Sequence, residues 1–258
     1  MSTDQLGRRD GGGAGREHRV CIVGSGLAGM AAALSLARRG IPVTILEREA
    51  QLGGLARPVD LHGERIDAFY HFICLSDRDL LDLVADVGLG HKLHWRPCTT
   101  ACVQDRRLYR FSSPLDLLRF APVPLVERVR FGLNVLRCRY RNDWTDLDAV
   151  GAVEWLQQQV GMQAYDRIWR PLLSLKFGDH RDQVSAAWIW HRIHRIASSR
   201  QRIWGSEQHA YLEGGMATLL DRLESLLLES GVTILRCTPV TGIDTADEIG
   251  RASCRERV

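Results

Sequence analysis

Between Val20 and Arg57 the sequence repeatedly places glycine where a backbone must turn tightly or come close to a partner. Gly24, Gly26 and Gly29 follow the apolar run Val20-Cys21-Ile22-Val23. Such a run suits a strand buried on both faces of a parallel sheet. In the turn Gly24-Ser25-Gly26-Leu27-Ala28-Gly29, Gly24 permits the sharp departure from the strand and Gly26 lets the backbone approach a pyrophosphate. Gly29 lets the following helix pack on the sheet. That helix is expected over roughly residues 27–39, with Ala33 on its packing side and Gly40 as its stop. Its N-terminus would present free N–H groups and a positive dipole end to phosphates.

A second strand, Val43 to Leu46, delivers Glu47 about 20 residues after the glycines, followed by Arg48. A carboxylate there can accept hydrogen bonds from adenosine ribose hydroxyls, and it repels a 2′-phosphate, which disfavours NADP. Gly53-Gly54, Leu55 and Arg57 come next. The glycine pair allows a second backbone segment to crowd the pyrophosphate, and Arg57 can add charge-assisted hydrogen bonds, a combination that favours FAD over NAD.

Residues 20–71 resemble the N-terminal FAD-binding unit of the flavin-dependent amine oxidase, protoporphyrinogen oxidase and phytoene desaturase superfamily, where these features occur in the same order. The resemblance implies an α/β fold: a Rossmann-like FAD-binding domain, a parallel sheet with flanking helices, carrying a largely helical inserted substrate domain. It implies FAD as cofactor and an oxidoreductase in which a small-molecule substrate, apolar or ring-containing, gives hydride to the flavin. By resemblance the segment Ile66-Asp67-Ala68-Phe69-Tyr70-His71 comes near the isoalloxazine, which makes Tyr70 and His71 the candidate catalytic residues. One departure is Leu55, where the amine oxidases proper usually place an arginine, and this argues against an amine substrate. A second match is Tyr211-Leu212-Glu213-Gly214-Gly215-Met216 before a helix with Leu219, Leu220, Leu223, Leu226 and Leu227 on one face. Gly231 closes that helix and Val232 to Cys237 read as a strand; by resemblance the backbone of Val240 then holds the adenine. Two alternatives stay open. One is a non-redox flavoenzyme resembling UDP-galactopyranose mutase, with Arg192, Arg195, Arg200 and Arg202, around His191 and His194, available to a diphosphate. The other is an inactive nucleotide-binding fragment.

The expected organisation is a disordered tail over 1–17, FAD-binding segments over 18–75 and 206–247, an inserted domain over 76–205, and a terminal stretch over 248–258. That terminal stretch lacks helical or strand periodicity and resembles the in-frame translation of a DNA-sequencing adapter, so the natural sequence is expected to end near Asp247 and the protein to continue. Within the insertion, Ser76 or Asp77 caps a helix with the stripe Leu80, Leu81, Val84 and Val87; a hairpin pairs 99–103 with 108–111; and Ala152 to Val160 is amphipathic. The tryptophans Trp144, Trp155, Trp169, Trp188, Trp190 and Trp204 are expected mainly in a core.

A net charge of +3 gives no case for nucleic acid, and only Lys92 and Lys176 are lysines. Seven cysteines without a CxxC pair or secretory segment point to reduced thiols in a cytoplasmic protein. His91, His94, Cys98 and Cys102 have spacings a metal could use, yet the two cysteines are expected on one face of one strand away from the histidines, and no metal is assigned. The stretch 114–141 mixes Leu, Val and Phe with Arg, a pattern compatible with peripheral membrane contact; Pro122 and Pro124 interrupt it and favour ordinary packing.

Overall fold

A computed structural model describes residues 19–199, 207–246 and 249–253. The N-terminal tail, Arg200, Arg202 and Trp204 lie outside the described residues. The chain divides into two compact units, Met1–Phe69 with Gly214–Val258, and Tyr70–Glu213.

The first unit opens with β1 (Val20–Val23), α1 (Leu27–Ala37) and β2 (Val43–Leu46). β1 and β2 pair in parallel with Val20 opposite Val43. Gly40, at φ +75°, takes the left-handed conformation that ends α1, and its N–H returns to the carbonyl of Ala37. A hairpin of β3 (Pro58–Leu61) and β4 (Glu64–Asp67) follows.

The second unit begins at β5 (Ile73–Cys74) and α2 (Arg78–Asp86), then β6 (Leu93–Cys98), β7 (Ala101–Gln104) and β8 (Arg107–Arg110). Its helices are α3 (Pro114–Arg119), α4 (Leu125–Tyr140), α5 (Thr145–Asp148), α6 (Ala152–Val160), α7 (Met162–Ala164), α8 (Arg170–Phe177) and α9 (Ala186–Ser198). β9 (Glu207–Leu212) closes the unit between β5 and β6, antiparallel to both. The core gathers Phe120, Phe131, Trp155, Leu156, Trp169 and Trp190 from these helices. Each such side chain fully withdrawn from water contributes about 1.5–3 kcal/mol. Trp144 is half exposed instead.

The chain then returns to the first unit with α10 (Met216–Glu229) and β10 (Thr233–Leu235), which joins β2 in parallel so that the sheet order is β1-β2-β10. Leu219, Leu223 and Leu227 of α10 are fully buried, one per turn. The last pair, β11 (Gly242–Ala246) and β12 (Ile249–Ser253), is antiparallel.

The structure corrects three of the expectations. β1 is not buried on both faces: Cys21 and Val23 are exposed, because β1 is the edge of the described sheet and only one of its faces is covered. Cys98 and Cys102 fall on separate strands, since β6 ends at Cys98 and pairs with β9 while β7 starts at Ala101 and pairs with β8 through a turn at Asp105 and Arg106, both with positive φ, as a two-residue primed turn demands. The terminal stretch, which has no alternating pattern, nevertheless pairs Ile249–Ser253 antiparallel with β11.

Asp77 does more than start α2. Its carboxylate accepts from the N–H of Cys74 at 2.9 Å and forms a two-pronged pair with Arg195 at 2.8 and 2.7 Å. Burial opposes the charge, but the Arg195 hydrogen bond and the Cys74 N–H outweigh it and hold the Asp77 carboxyl below its ordinary value. Asp77→Ala strands a half-buried guanidinium and is expected to cost about 2 kcal/mol, discounted from a fully buried pair for the partial exposure of both partners. The cost should appear in urea unfolding at neutral pH and shrink as acid protonates Asp77, because stability from a lowered carboxyl is lost as pH falls through its folded value.

Candidate functional site

The glycine-rich turn is built by three backbone contacts that only glycine tolerates. Gly24 sits at φ +93° and its N–H donates to the carbonyl of Leu46 at 2.8 Å, tying the turn to the end of β2. A Cβ at Gly29 would lie 2.3 Å from the carbonyl oxygen of Gly24, so α1 comes down directly on the turn. A Cβ at Gly54 would lie 3.2 Å from the Cα of Gly26, and the Gly53 N–H donates to the Ser25 carbonyl at 3.0 Å. The glycine pair is thus docked on the turn as a second backbone layer, with Gly26 and Gly53 bridged in parallel. By contrast, a Cβ on Gly26 meets nothing within 4 Å. Gly26 also caps α1 without a side chain, so the first amides of Leu27 and Ala28 keep the free donors of a helix start.

Glu47 organises this turn. Its Oε2 accepts from the Ser25 N–H at 2.7 Å and from the Ser25 hydroxyl at 2.5 Å, and its Oε1 accepts from the Glu49 N–H at 2.9 Å. The carboxylate is 6% exposed. Burial pushes its pKa up, but hydrogen bonds from the Ser25 hydroxyl and from the Glu49, Ser25 and Arg48 amides outweigh that and hold it below its ordinary value. A carboxylate offers about four lone-pair sites. The Ser25 hydroxyl and the Ser25, Glu49 and Arg48 amides supply four donors, so the carboxylate is engaged all round in shaping the turn.

Around this core, Arg57 lies 3.8 Å from the Glu49 carboxylate and Arg48 lies 3.2 Å from it, both with exposed side chains. Leu55 is exposed. β10 carries the frame onward: the Glu47 N–H donates to Leu235 and the Thr238 N–H returns to the Glu47 carbonyl at 2.8 Å, which sets Val240 two residues past that anchor. Behind the glycine pair stands α10, whose Leu220 would meet a Cβ on Gly53 at 2.5 Å. The α10 N-terminus is capped from a distance: the Met216 N–H donates to Asp67 Oδ1 at 2.9 Å, and Arg65 pairs with Asp221.

The family profile of flavin containing amine oxidoreductases matches residues 27–257. The chain belongs to that family. The family is one of FAD-dependent oxidoreductases with a Rossmann-like α/β fold, the fold class expected from the glycine pattern. A hydroxyneurosporene desaturase from Rubrivivax gelatinosus is 47% identical over 53 residues, 20% of this chain and 10% of that protein. A 15-cis-phytoene desaturase from Synechococcus elongatus is 25% identical over 219 residues, 76% of this chain and 44% of that protein. A solved putrescine oxidase, a triple mutant redesigned in cofactor binding, superposes with a TM-score of 0.68 at 18% identity over 92% of this chain and 54% of its own; that likeness is one of fold. The chain thus spans at most about half the length of these three relatives.

Within this family member, Tyr70 and His71 belong to the second unit. The Tyr70 hydroxyl lies 3.5 Å from Lys176 Nζ and its ring stacks on Phe72, while His71 holds a buried Nδ1 without a hydrogen-bond partner. The arginine run is partly committed inside the unit: Arg192 lies over the Trp188 ring at 5.9 Å, Arg195 pairs with Asp77, and His194 bonds the Cys138 carbonyl. Burial pushes the Cys74 thiol up and the Cys138 thiol to about 11, so neither is a nucleophile at neutral pH. Six cysteines are described and none of them forms a disulfide among the described residues. Among the described residues no cluster of three or more His, Cys, Asp or Glu is placed to hold a metal, and no helix is long and apolar enough to cross a membrane.

Sequence reasoning placed the glycines and Glu47 but missed the Ser25 hydroxyl as a clamp, Asp67 as the cap of α10, and Leu220 as the wall behind Gly53. Serine between two glycines is common and carries no spacing signal. Asp67 lies 149 positions from Met216.

Proposed function

We propose that this chain binds FAD at the Gly24–Gly29 turn and works as an oxidoreductase on an apolar or ring-containing small molecule. The observation that carries the reading is the double-layered glycine cradle, open above Gly26 and closed below by Gly54 and Gly29. It fits a pyrophosphate: the α1 amides and dipole meet the negative charge, and Arg57 adds a half-exposed cation held by a long pair to Glu49. Glu47, at the end of β2, is the residue that meets the ribose, and the backbone at Val240 takes the adenine. FAD, when bound, supplies the hydride acceptor. The apolar substrate class is supported by the two desaturase relatives, whose names specify hydroxyneurosporene and 15-cis-phytoene, and by Leu55 in place of an arginine.

Tyr70 and His71 are the proposed catalytic contacts. His71 has a ring nitrogen shielded from water with no hydrogen-bond partner among the described residues, the condition of a group that bonds substrate. His71→Ala is expected to lower turnover by about 100-fold while leaving flavin absorbance intact.

The test is to purify the protein with FAD, record its visible spectrum, and add candidate polyenes anaerobically. Bleaching with stoichiometric oxidation of substrate supports the reading. Tight flavin binding with turnover but no net redox change would refute the oxidoreductase reading and favour a mutase-type reaction. A protein that is folded yet takes up no FAD would refute the site.

A further inference from the structure

α4 has two apolar faces, and only one of them is used inside the molecule. Phe131, Asn134 and Cys138 are buried against the rest of the second unit. On the opposite side Val126, Val129, Leu133, Leu136 and Tyr140 are exposed, at 71%, 45%, 48%, 37% and 68%. At 3.6 residues per turn these five fall within about 80° of arc, a continuous stripe roughly 20 Å long. Scattered surface leucines are ordinary, but a contiguous apolar stripe marks a contact surface.

The charges around the stripe identify what it touches. By the same geometry Arg128 and Arg139 border one edge and Arg130 and Arg137 the other. Arg128 donates to the Leu118 carbonyl, Arg130 to the Gln158 carbonyl, Arg137 to the Gln159 amide oxygen and Arg139 to the Ala197 carbonyl, all neutral acceptors. The sole acid of α4, Glu127, is turned to the packed side, where it accepts the Ala164 N–H at 2.7 Å. Pro122 and Pro124 interrupt the stretch 114–141 as expected, between α3 and α4, and leave α4 itself continuous over Leu125–Tyr140.

We infer that the exposed face of α4 seats in the interface of an anionic lipid leaflet, its aliphatic stripe among the acyl chains and the positive charge of its flanking arginines toward the headgroups. A helix lying in the plane of a membrane has this cross-section: a narrow apolar strip with long cationic side chains along both margins. A second copy of the chain fits poorly, because a two-fold contact would set arginine rims against arginine rims. The inference stands on α4 alone and does not depend on the cofactor reading.

The test is flotation of the purified protein with phosphatidylcholine vesicles and with vesicles containing phosphatidylglycerol, beside Leu133→Glu and the double variant R130E/R137E. Both variants change exposed positions, and unchanged circular dichroism and thermal midpoint show that they fold. Binding to the anionic vesicles, reduced at least tenfold by Leu133→Glu and by R130E/R137E and weakened by salt, supports the inference. A folded protein that floats with neither vesicle overturns it. Equal binding to both vesicles, unaffected by R130E/R137E, overturns the anionic leaflet. Self-association that Leu133→Glu abolishes, without flotation, assigns the face to a second copy. Protection of residues 126–140 from amide exchange without vesicles, beyond that of the packed face, assigns it to another part of the protein.

Discussion

Gly29→Val is expected to abolish FAD uptake and to destabilise the first unit by about 3 kcal/mol, the upper range for forcing extra methyl groups into a packed site. Even one methyl at this position falls 2.3 Å from the Gly24 carbonyl oxygen and 3.3 Å from Ile22 Cγ2. The first obstacle is backbone that cannot rotate away, and it belongs to a glycine whose own φ of +93° fixes the turn. Relief therefore comes only by lifting α1 off β1, which moves the α1 amides away from the turn they serve. Urea unfolding reads the first effect and visible absorbance after FAD loading reads the second. A variant that unfolds like the parent and still yellows would show that the close approach of α1 is not what forms the cradle.

Glu47→Ala is expected to cost about 3 kcal/mol and at least 100-fold in FAD affinity. The stability loss comes from the donors left behind: the Ser25 N–H, the Ser25 hydroxyl and the Glu49 N–H lose their acceptor in a site that water barely enters. Each unmatched buried donor costs about 1–3 kcal/mol, reduced where the cavity admits water. The affinity loss is larger than a lost ribose bond because Ser25 is also the acceptor that docks Gly53, so the second backbone layer loosens with it. Glu47→Gln separates the two contributions. It keeps the volume and one acceptor but sets an amide donor against donors of Ser25 or Glu49. Sign and window follow from the lowered carboxyl: its stabilisation is complete above the unfolded value, near pH 4.3, and fades as pH falls through the folded value. The parent should therefore lose stability relative to Glu47→Ala only in acid below about pH 4. A constant difference from pH 7 to pH 3 would contradict the assignment.

The glycines and Glu47 were legible because each is required by local geometry: a positive φ, a backbone approach, a carboxylate at the end of a strand. α6 was legible for a similar reason, its apolar spacing matching its burial over Ala152–Val160. The parts that resisted reading depend on partners far away in sequence. Asp77 looks like a helix cap, yet its side chain is occupied by Arg195, 118 positions on. The hairpin around Asp105-Arg106 was legible from its apolar runs, but the start of a new strand at Ala101, so soon after β6 ends at Cys98, was not. Val23 looks like core, and its 54% exposure follows from the strand order rather than from the residue. The α4 stripe was visible as Leu, Val and Arg, but only the packing of Phe131 and Cys138 on the other side shows that its apolar residues are left over.

The contact of Gly54 with Gly26, and of Gly53 with Leu220, has a practical consequence for anyone who would transplant this motif. A graft of residues 20–47 into another scaffold would carry the familiar glycine signature but neither its floor nor the leucine wall behind that floor. The smallest portable version is discontinuous, made of three stretches from opposite ends of the sequence, and a host must be able to bring all three together before it can inherit the cradle.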